Sequence, residues 1–446
     1  MIDLLADMIT PKEVHEVLSR RILTDGFDMV LDLEKSKGAW IYDSRFDRKF
    51  LDFFGFFATN AVGMNHPKMF DPEFLKKVHY AAINKPTNSD IYTVEMAEFV
   101  DALSKYATPD YMKYFFFIDG GALAVENALK TAFDWKVRKN FRKGYKEEKG
   151  FKVIHLKEAF HGRSGYTLSM TNTFDPNKTK YFPKFNWPRV TNPKITFPLN
   201  EENLKKVQEL EKKSLEEIEN ALKENPDDIA AFIMEPIQGE GGDNHFRKEY
   251  FKEVEKITRK WDIMFIVDEV QSGLGITGKW WAHQHFDVIP DIIAFGKKTQ
   301  VCGIMVGPKV DDIEDNVFKV SSRINSTWGG NLVDMIKSKK VLEIIHEEKL
   351  VDNAAKMGDI FVKALWEVQE KYPSLMNNVR GRGLMDAFDL KDTNTRDKLF
   401  GTLYKNGLLM LKTGEKGIRF RPPLIIGNEE INIAISIIEK SIKEII

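Results

Sequence analysis

Cysteine is the scarcest residue in this sequence. The 446 residues include one cysteine, Cys302, so an intrachain disulfide is excluded and a reducing compartment, the cytoplasm, is expected. Long apolar runs are also missing: no stretch of about 18 apolar residues occurs, and a membrane-spanning helix needs about that many. Within the first 21 residues, Asp3, Asp7, Lys12 and Glu13 interrupt any apolar core, so we expect no secretory leader.

An excess of charge of one sign is lacking too. The chain has 66 Lys and Arg against 67 Asp and Glu, a formal net charge of −1, so neither nucleic acid nor an anionic membrane is favoured as a partner. A composition that is 43% hydrophobic and 30% charged is ordinary for a soluble globular protein. His283 and His285 resemble a metal pair, but no third ligand has suitable spacing, and we expect no metal site.

Short apolar runs bounded by turn residues predict a buried sheet. Helical segments separate most of these runs, which favours a largely parallel sheet with helices on both faces. The seven predicted strands are Tyr114–Ile118, Lys152–Leu156, Tyr166–Met170, Ile229–Met234, Met264–Val267, Ile292–Phe295 and Ile304–Val306.

A carboxylate and a lysine follow two neighbouring runs. Asp268 comes directly after Met264–Val267, and Lys297 comes shortly after Ile292–Phe295. Ligands of open α/β sheets bind at the carboxyl ends of strands, so the two side chains could face one ligand. Pyridoxal phosphate needs this pair, because its aldehyde reacts with an amine and its ring nitrogen keeps a proton beside a buried carboxylate. Either residue alone is more often a strand cap or a solvated lysine.

The joint pattern, D-E-V-Q-x-G and then P-D-I-x-x-x-G-K, resembles the motif of the fold-type I, class III aminotransferases. The two site residues are 297 − 268 = 29 residues apart, as in that family. Three strings, F-G-K-K-T-Q-V-C-G, N-S-T-W-G-G-N and R-F-R-P-P-L, resemble more narrowly the lysine 6-aminotransferases, and the likeness covers nearly the whole chain. Lys298 is a rival to Lys297. We prefer Lys297 because the family's lysine directly follows P-D-I-x-x-x-G.

The resemblance implies an α/β fold and a reaction. A large pyridoxal phosphate-binding domain, residues 71–335, would hold a mostly parallel seven-stranded sheet. A smaller domain would be built from both chain ends, residues 1–70 and 336–446. The implied activity is transfer of the ε-amino group of L-lysine to 2-oxoglutarate by a homodimer with shared active sites. Alternatives are an ornithine or 4-aminobutyrate aminotransferase, a racemase or decarboxylase on the same scaffold, and a non-enzymatic pyridoxal phosphate protein.

The resemblance also implies roles for individual residues. The backbone N–H groups of Gly121 and Ala122 would hold the phosphate, where D-G-G-A replaces the more frequent S-G-[ST]-E. No acid or serine partner for His161 is evident nearby in the sequence, so we expect an orienting role. The remaining roles are Phe160 stacked on the ring, Gln271 at its hydroxyl, Thr327 at the other subunit's phosphate, Arg163 at the α-carboxylate, Asn325 at the substrate, and Glu240 paired with Arg419.

Overall fold

The computed structural model describes residues 9–446. The first eight residues lie outside the described residues. They include the start of the expected segment 1–70 and the start of the stretch in which we expect no leader. In the described part, fifteen strands form three sheets. The strands are β1 (Leu31–Lys37), β2 (Trp40–Asp43), β3 (Arg48–Asp52), β4 (Tyr114–Ile118), β5 (Lys152–Leu156), β6 (Arg189–Val190), β7 (Ile229–Met234), β8 (Met264–Asp268), β9 (Ile292–Phe295), β10 (Cys302–Val306), β11 (Met376–Arg382), β12 (Met385–Leu390), β13 (Leu408–Leu409), β14 (Leu411–Thr413) and β15 (Gly417–Phe420).

The central sheet has seven strands in the order β4-β10-β9-β8-β7-β5-β6. Strand β10 runs antiparallel to β4 and β9, and the remaining neighbours pair in parallel. Every residue of β7, β8 and β9 is buried, because helices cover both faces of a largely parallel sheet and its strands are therefore continuous apolar runs. The predicted mostly parallel, seven-stranded sheet is confirmed.

One of the seven predicted strands was wrong. Tyr166–Met170 lies in a helix, and the short strand β6 takes the seventh place in the sheet. Ser164 starts the helix with a reciprocal side-chain and backbone cap to Thr167. The carboxylate of Glu126 accepts hydrogen bonds from the backbone N–H of Tyr166 at 2.8 Å and of Thr167 at 3.3 Å. These caps stabilise a helical turn that the apolar run alone does not indicate.

Helices pack on both faces of the central sheet. Asn200 caps the long amphipathic helix α7 by accepting a hydrogen bond from Asn203 N. No helix among residues 9–446 combines the length and apolar character needed to cross a membrane. The helices are α1 (Val14–Ser19), α2 (Gly55–Ala58, partly left-handed), α3 (Pro72–Asn84), α4 (Val94–Tyr106), α5 (Gly121–Arg142), α6 (Gly165–Met170), α7 (Glu201–Glu224), α8 (Lys248–Lys260), α9 (Leu332–Glu347), α10 (Leu350–Lys371), α11 (Thr393–Lys405) and α12 (Asn428–Ile445).

Two four-stranded sheets are built from the ends of the chain. The first has the order β1-β2-β3-β13, so strands from the N-terminal part share a sheet with β13 from the C-terminal part. The second has the order β11-β12-β15-β14 and carries Arg419 on β15. The domain boundaries near residues 70 and 335 stay a prediction.

Candidate active site

Three charged side chains follow three adjacent parallel strands. Glu235 comes directly after β7, Asp268 ends β8, and Lys297 follows β9 by two residues. The register aligns Met234 with Val267 and Asp268 with Ala294. The three side chains therefore meet at one edge of the sheet, the edge at which α/β proteins bind ligands.

Asp268 is held by two donors on its two carboxylate oxygens. The side chain is 6% exposed, its Oδ1 accepts a hydrogen bond from Val270 N at 3.1 Å, and its Oδ2 lies 2.8 Å from His161 Nδ1. His161 lies in the loop after β5. Its acid partner, Asp268, is 107 residues away in sequence. The contact fixes the orientation of both side chains.

Glu235 is a buried acid that sequence reasoning passed over. It is 7% exposed, and its Oε2 has no hydrogen-bond partner among residues 9–446. Burial, with a further contribution from the charge of Asp268, raises the pKa of Glu235 well above its usual range. The available signal was its position at a strand end, which it shares with Asp268.

Lys297 has an unusual backbone and a weakly basic amine. Its φ of 55° lies in the left-handed region, which non-glycine residues seldom adopt outside functional sites and turns. Burial lowers the pKa of Lys297 to about 8, and the positive charges of Arg419 and Arg421 add to this effect. An amine with this pKa is partly unprotonated near neutral pH and can act as a nucleophile.

Lys298, the rival lysine, is engaged elsewhere. It is 1% exposed, and its Nζ donates hydrogen bonds to the backbone carbonyls of Gln271 at 2.7 Å and Ala58 at 3.2 Å. It therefore ties the end of α2 to the loop after β8. This geometry favours Lys297 as the reactive amine.

Helix α5 begins at the same edge of the sheet without a side-chain cap. Gly120 occupies the N-cap position with φ 99°, and within residues 9–446 no side-chain cap hydrogen bond is present at this helix start. Helices α3, α4 and α7 differ, since Asp71, Thr93 and Asn200 cap them. The N–H groups at the start of α5, which include those of Gly121 and Ala122, are therefore available to an anion.

The predicted ring contacts are near these groups. Phe160 is half-buried in the loop that carries His161, and the charged groups of Arg163 and Lys178 each lie 5.9 Å from its ring centre. Gln271 follows Asp268 on the loop after β8, and its Oε1 accepts a hydrogen bond from Arg421 Nε at 3.1 Å. Phe160 thus precedes His161, the partner of Asp268, and Gln271 follows Asp268 by three residues, while their roles at the ring stay predictions.

Glu240 and Arg419 are in contact. Arg419 Nη2 donates to Glu240 Oε2 at 2.6 Å, and Lys178 Nζ donates to the other carboxylate oxygen, Oε1. Arg419 is 2% exposed, and its Nε and Nη1 have no hydrogen-bond partner within the described part of the chain. Burial acts to raise the pKa of Glu240, but the Arg419 and Lys178 charges outweigh it and lower the value.

The loop that carries Glu240 is fixed to the C-terminal sheet. Thr413 Oγ1 donates to Gly239 O at 2.7 Å, and Gly414 N donates to Glu240 O at 3.3 Å. Arg421 Nη2 pairs with Asp243, both side chains being fully buried. These contacts tie the backbone of the loop to the C-terminal sheet.

Three predicted site residues are exposed. Arg163 is one of them, although its guanidinium lies near the Phe160 ring. Asn325 and Thr327 are exposed as well, and Asn325 Oδ1 accepts a hydrogen bond from Ser89 Oγ at 3.2 Å. The roles of these three residues stay predictions.

The residues fit pyridoxal phosphate on three counts. Lys297 supplies an amine of lowered pKa, and Asp268 supplies a buried carboxylate at the neighbouring strand end. The start of α5 supplies uncapped N–H groups for a phosphate. The free Nε and Nη1 of Arg419 supply donors for a substrate carboxylate beside them.

Comparison with known proteins agrees with this geometry. Residues 24–442 match the family model for class III aminotransferases. The chain is 48% identical over 434 residues to L-lysine-epsilon aminotransferase of Mycobacterium tuberculosis, over 97% of this chain and 96% of that protein. It is 45% identical over 423 residues to the L-lysine-epsilon aminotransferase of Amycolatopsis lactamdurans, over 94% and 93% of the two chains.

A solved structure gives the same answer for the fold. The lysine aminotransferase from M. tuberculosis in the internal aldimine form matches with a TM-score of 0.96 at 47% identity, over 98% of this chain and 100% of that one. The expected fold-type I architecture is thereby confirmed. The chain belongs to the pyridoxal phosphate-dependent class III aminotransferases.

Proposed function

We propose that this enzyme transfers the ε-amino group of L-lysine to 2-oxoglutarate. The products are glutamate and lysine 6-semialdehyde, which cyclises to piperideine-6-carboxylate, and the two half-reactions alternate in one site. The observation that carries the proposal is the contact between Glu240 and Arg419. The names of its relatives at 45–48% identity support the same substrate.

The two substrates place different demands on the site next to the reacting carbon. Lysine presents methylenes there, whereas 2-oxoglutarate presents a carboxylate. While Glu240 neutralises Arg419, the buried guanidinium can face an apolar chain without a large desolvation penalty. When Glu240 rotates aside, Arg419 can bind the oxo acid's carboxylate through paired hydrogen bonds. Arg163 would hold the remote carboxylate of either substrate.

The other residues orient the chemistry. Bound pyridoxal phosphate withdraws electrons from the carbon next to the amine, so that a proton can leave it. The Asp268 carboxylate, oriented by His161, would stabilise a positive charge on the ring nitrogen. The Lys297 amine, whose pKa is about 8, can take up the departing proton and return it at neutral pH. Phe160 would lie against one face of the ring.

The proposal is tested by following the nitrogen of lysine. The purified enzyme is supplied with 2-oxoglutarate and lysine labelled with ¹⁵N at either the α or the ε position. We expect labelled glutamate only from the ε-labelled substrate. Ornithine and 4-aminobutyrate serve as competing donors. Transfer of the α-nitrogen, or a preference for either competitor, would contradict the assignment to lysine.

The Glu240→Ala variant should separate the two half-reactions. Arg419 would then face the lysine chain as an unpaired buried charge, so we expect the lysine half-reaction to slow by about 100-fold. The 2-oxoglutarate half-reaction should change far less, because it uses Arg419 without Glu240. Stopped-flow absorbance of the cofactor measures each half separately. Glu240→Gln keeps the volume and removes the charge, and it should behave like the alanine variant. Equal losses in both half-reactions would refute the proposed movement of Glu240 toward and away from Arg419.

We also propose that the enzyme is a homodimer with shared sites. The Ser89–Asn325 hydrogen bond joins two segments that carry exposed apolar side chains. Tyr92 is 77% exposed and Trp328 is 42% exposed, a cluster that favours burial by a partner. Thr327, between Asn325 and Trp328, would then reach the partner's phosphate.

A cytoplasmic location is proposed from the single cysteine, which suits a reducing compartment.

Subunit complementation can test the shared site. Thr327→Val should weaken retention of the cofactor by about tenfold through loss of a hydrogen bond to a charged group. Mixing Thr327→Val with Lys297→Ala subunits should raise activity above both parent proteins, since each heterodimer regains one site with both native residues. Light scattering should give twice the chain mass. A fully active monomer, or no gain on mixing, would contradict a shared site.

A further inference from the structure

We propose that Lys178 holds Glu240 when that carboxylate leaves Arg419, and that it thereby determines how well the site accepts a dicarboxylic oxo acid. The inference rests on the proposed function, because it concerns the second position of the same switch. Lys178 belongs to a short turn, Pro176–Lys178, in the loop after α6. Neither the motif pattern nor the spacing of the sequence indicated it.

The geometry already gives Glu240 two partners. Its Oε2 accepts from Arg419 Nη2 at 2.6 Å, while its Oε1 accepts from Lys178 Nζ. Glu240 can therefore rotate about the Lys178 contact and release Arg419 without losing every cation. Because the backbone of Glu240 is fixed by Gly414 N, the movement is confined to the side chain.

The two cations that flank Glu240 differ in burial. Arg419 is 2% exposed, Lys178 is 14% exposed and Glu240 is 26% exposed. Rotation toward Lys178 takes the carboxylate away from the buried guanidinium and keeps it beside a second cation. The free energy of the displaced position is then lower than it would be for an unpaired carboxylate at the same depth.

The charges of the dicarboxylate-bound site balance only when Lys178 is counted. With a dicarboxylate bound, the substrate's proximal carboxylate and Glu240 are both negative, and Arg419 and Lys178 supply two positive charges. Without Lys178, two carboxylates would share one guanidinium, and like charges in a partly buried site repel. With lysine bound, Arg419 and Glu240 neutralise each other without help. Loss of Lys178 should therefore affect the oxo acid and spare lysine.

Equilibrium binding of glutarate, an unreactive dicarboxylate, tests this inference on the holoenzyme. We expect Lys178→Met to raise the dissociation constant of glutarate by about tenfold, measured by calorimetry. The rate and apparent affinity of the lysine half-reaction should change far less, because Arg419 still pairs with Glu240. Lys178→Arg keeps the charge near both Glu240 and the Phe160 ring and should restore glutarate binding.

A neighbouring lysine gives the matched control. Lys180 is exposed, two residues along the same loop, and its Nζ lies 5.5 Å from the ring centre of Tyr181. Lys180→Met makes the same change of charge and should bind glutarate as the wild type does. Wild-type glutarate affinity in Lys178→Met, or equal weakening of glutarate and lysine, would overturn the role of Lys178. If the wild type binds glutarate but does not transaminate lysine, lysine is not the amino donor. The comparison of glutarate binding between the wild type and Lys178→Met would still hold.

Discussion

Purified Lys297→Ala enzyme should contain no covalently attached pyridoxal phosphate and should lose transaminase activity on the order of 10⁴-fold. Two functions of the amine disappear together. It no longer reacts with the aldehyde of the cofactor, and it no longer moves a proton at the reacting carbon. In the wild type, borohydride should abolish the absorbance of the attached cofactor. The variant should lack this absorbance before any borohydride is added.

Lys298 provides the discriminating control. Its ammonium is tied to the carbonyls of Ala58 and Gln271, so Lys298→Met should lower thermal stability and still attach the cofactor. Fragment-ion mass spectrometry of the borohydride-reduced wild type should locate the adduct on Lys297. An adduct on Lys298 would show that the motif was aligned one residue out of register.

The pH dependence of attachment follows from the same amine. Below its pKa of about 8, Lys297 is mainly an ammonium and cannot attack an aldehyde, whereas above it the free amine prevails. The rate at which apoenzyme attaches pyridoxal phosphate should therefore rise through about pH 8 and then level off. A midpoint near the ordinary lysine value of 10.5 would contradict the effect of burial.

The sequence predicted those parts of the site that follow strand ends. Asp268 and Lys297 each come after an apolar run, and the runs became adjacent strands of the central sheet. Buried strands have a strong local signature, since their residues are apolar on both faces. The long helix α7 also has a strong local signature, because its apolar residues recur at helical spacing.

Local sequence patterns did not predict the contacts between distant segments. His161 and Asp268 are 107 residues apart, and Lys178 and Glu240 are 62 apart. No period or spacing links such pairs, because their distance depends on how loops leave the sheet. The Glu240–Arg419 pair spans 179 residues, and only resemblance to the family indicated it.

The wrong strand has a different cause. The run Tyr166–Met170 is apolar enough for a strand, and its length does not distinguish strand from helix. Glu126, which lies on α5, decides the outcome by accepting hydrogen bonds from the first backbone N–H groups of the helix. A tertiary contact thus overrode a local preference.

Asp268→Asn should retain bound cofactor and lose activity by roughly 10²–10³-fold. Lys297 and the N–H groups at the start of α5 still hold the cofactor, so its absorbance should persist. The neutral amide can no longer stabilise a positive charge on the ring nitrogen. Asp291 is a matched control, because it precedes β9 at the opposite end of the sheet and accepts a hydrogen bond from Phe265 N at 2.8 Å. Asp291→Asn should lower stability and keep the turnover number.

The second half of this prediction concerns the partner of Asp268. His161 acts as a positioning residue, since its Nδ1 lies 2.8 Å from Asp268 Oδ2. His161→Leu should reduce turnover by about tenfold through loss of one hydrogen bond to a charged group, whereas His161→Asn can supply an N–H in its place and should lose less. In the Asp268→Asn background the leucine substitution should add little, because residues in direct contact are not additive. Near-normal turnover of Asp268→Asn, or full additivity in the double variant, would remove the carboxylate–imidazole pair from the reaction.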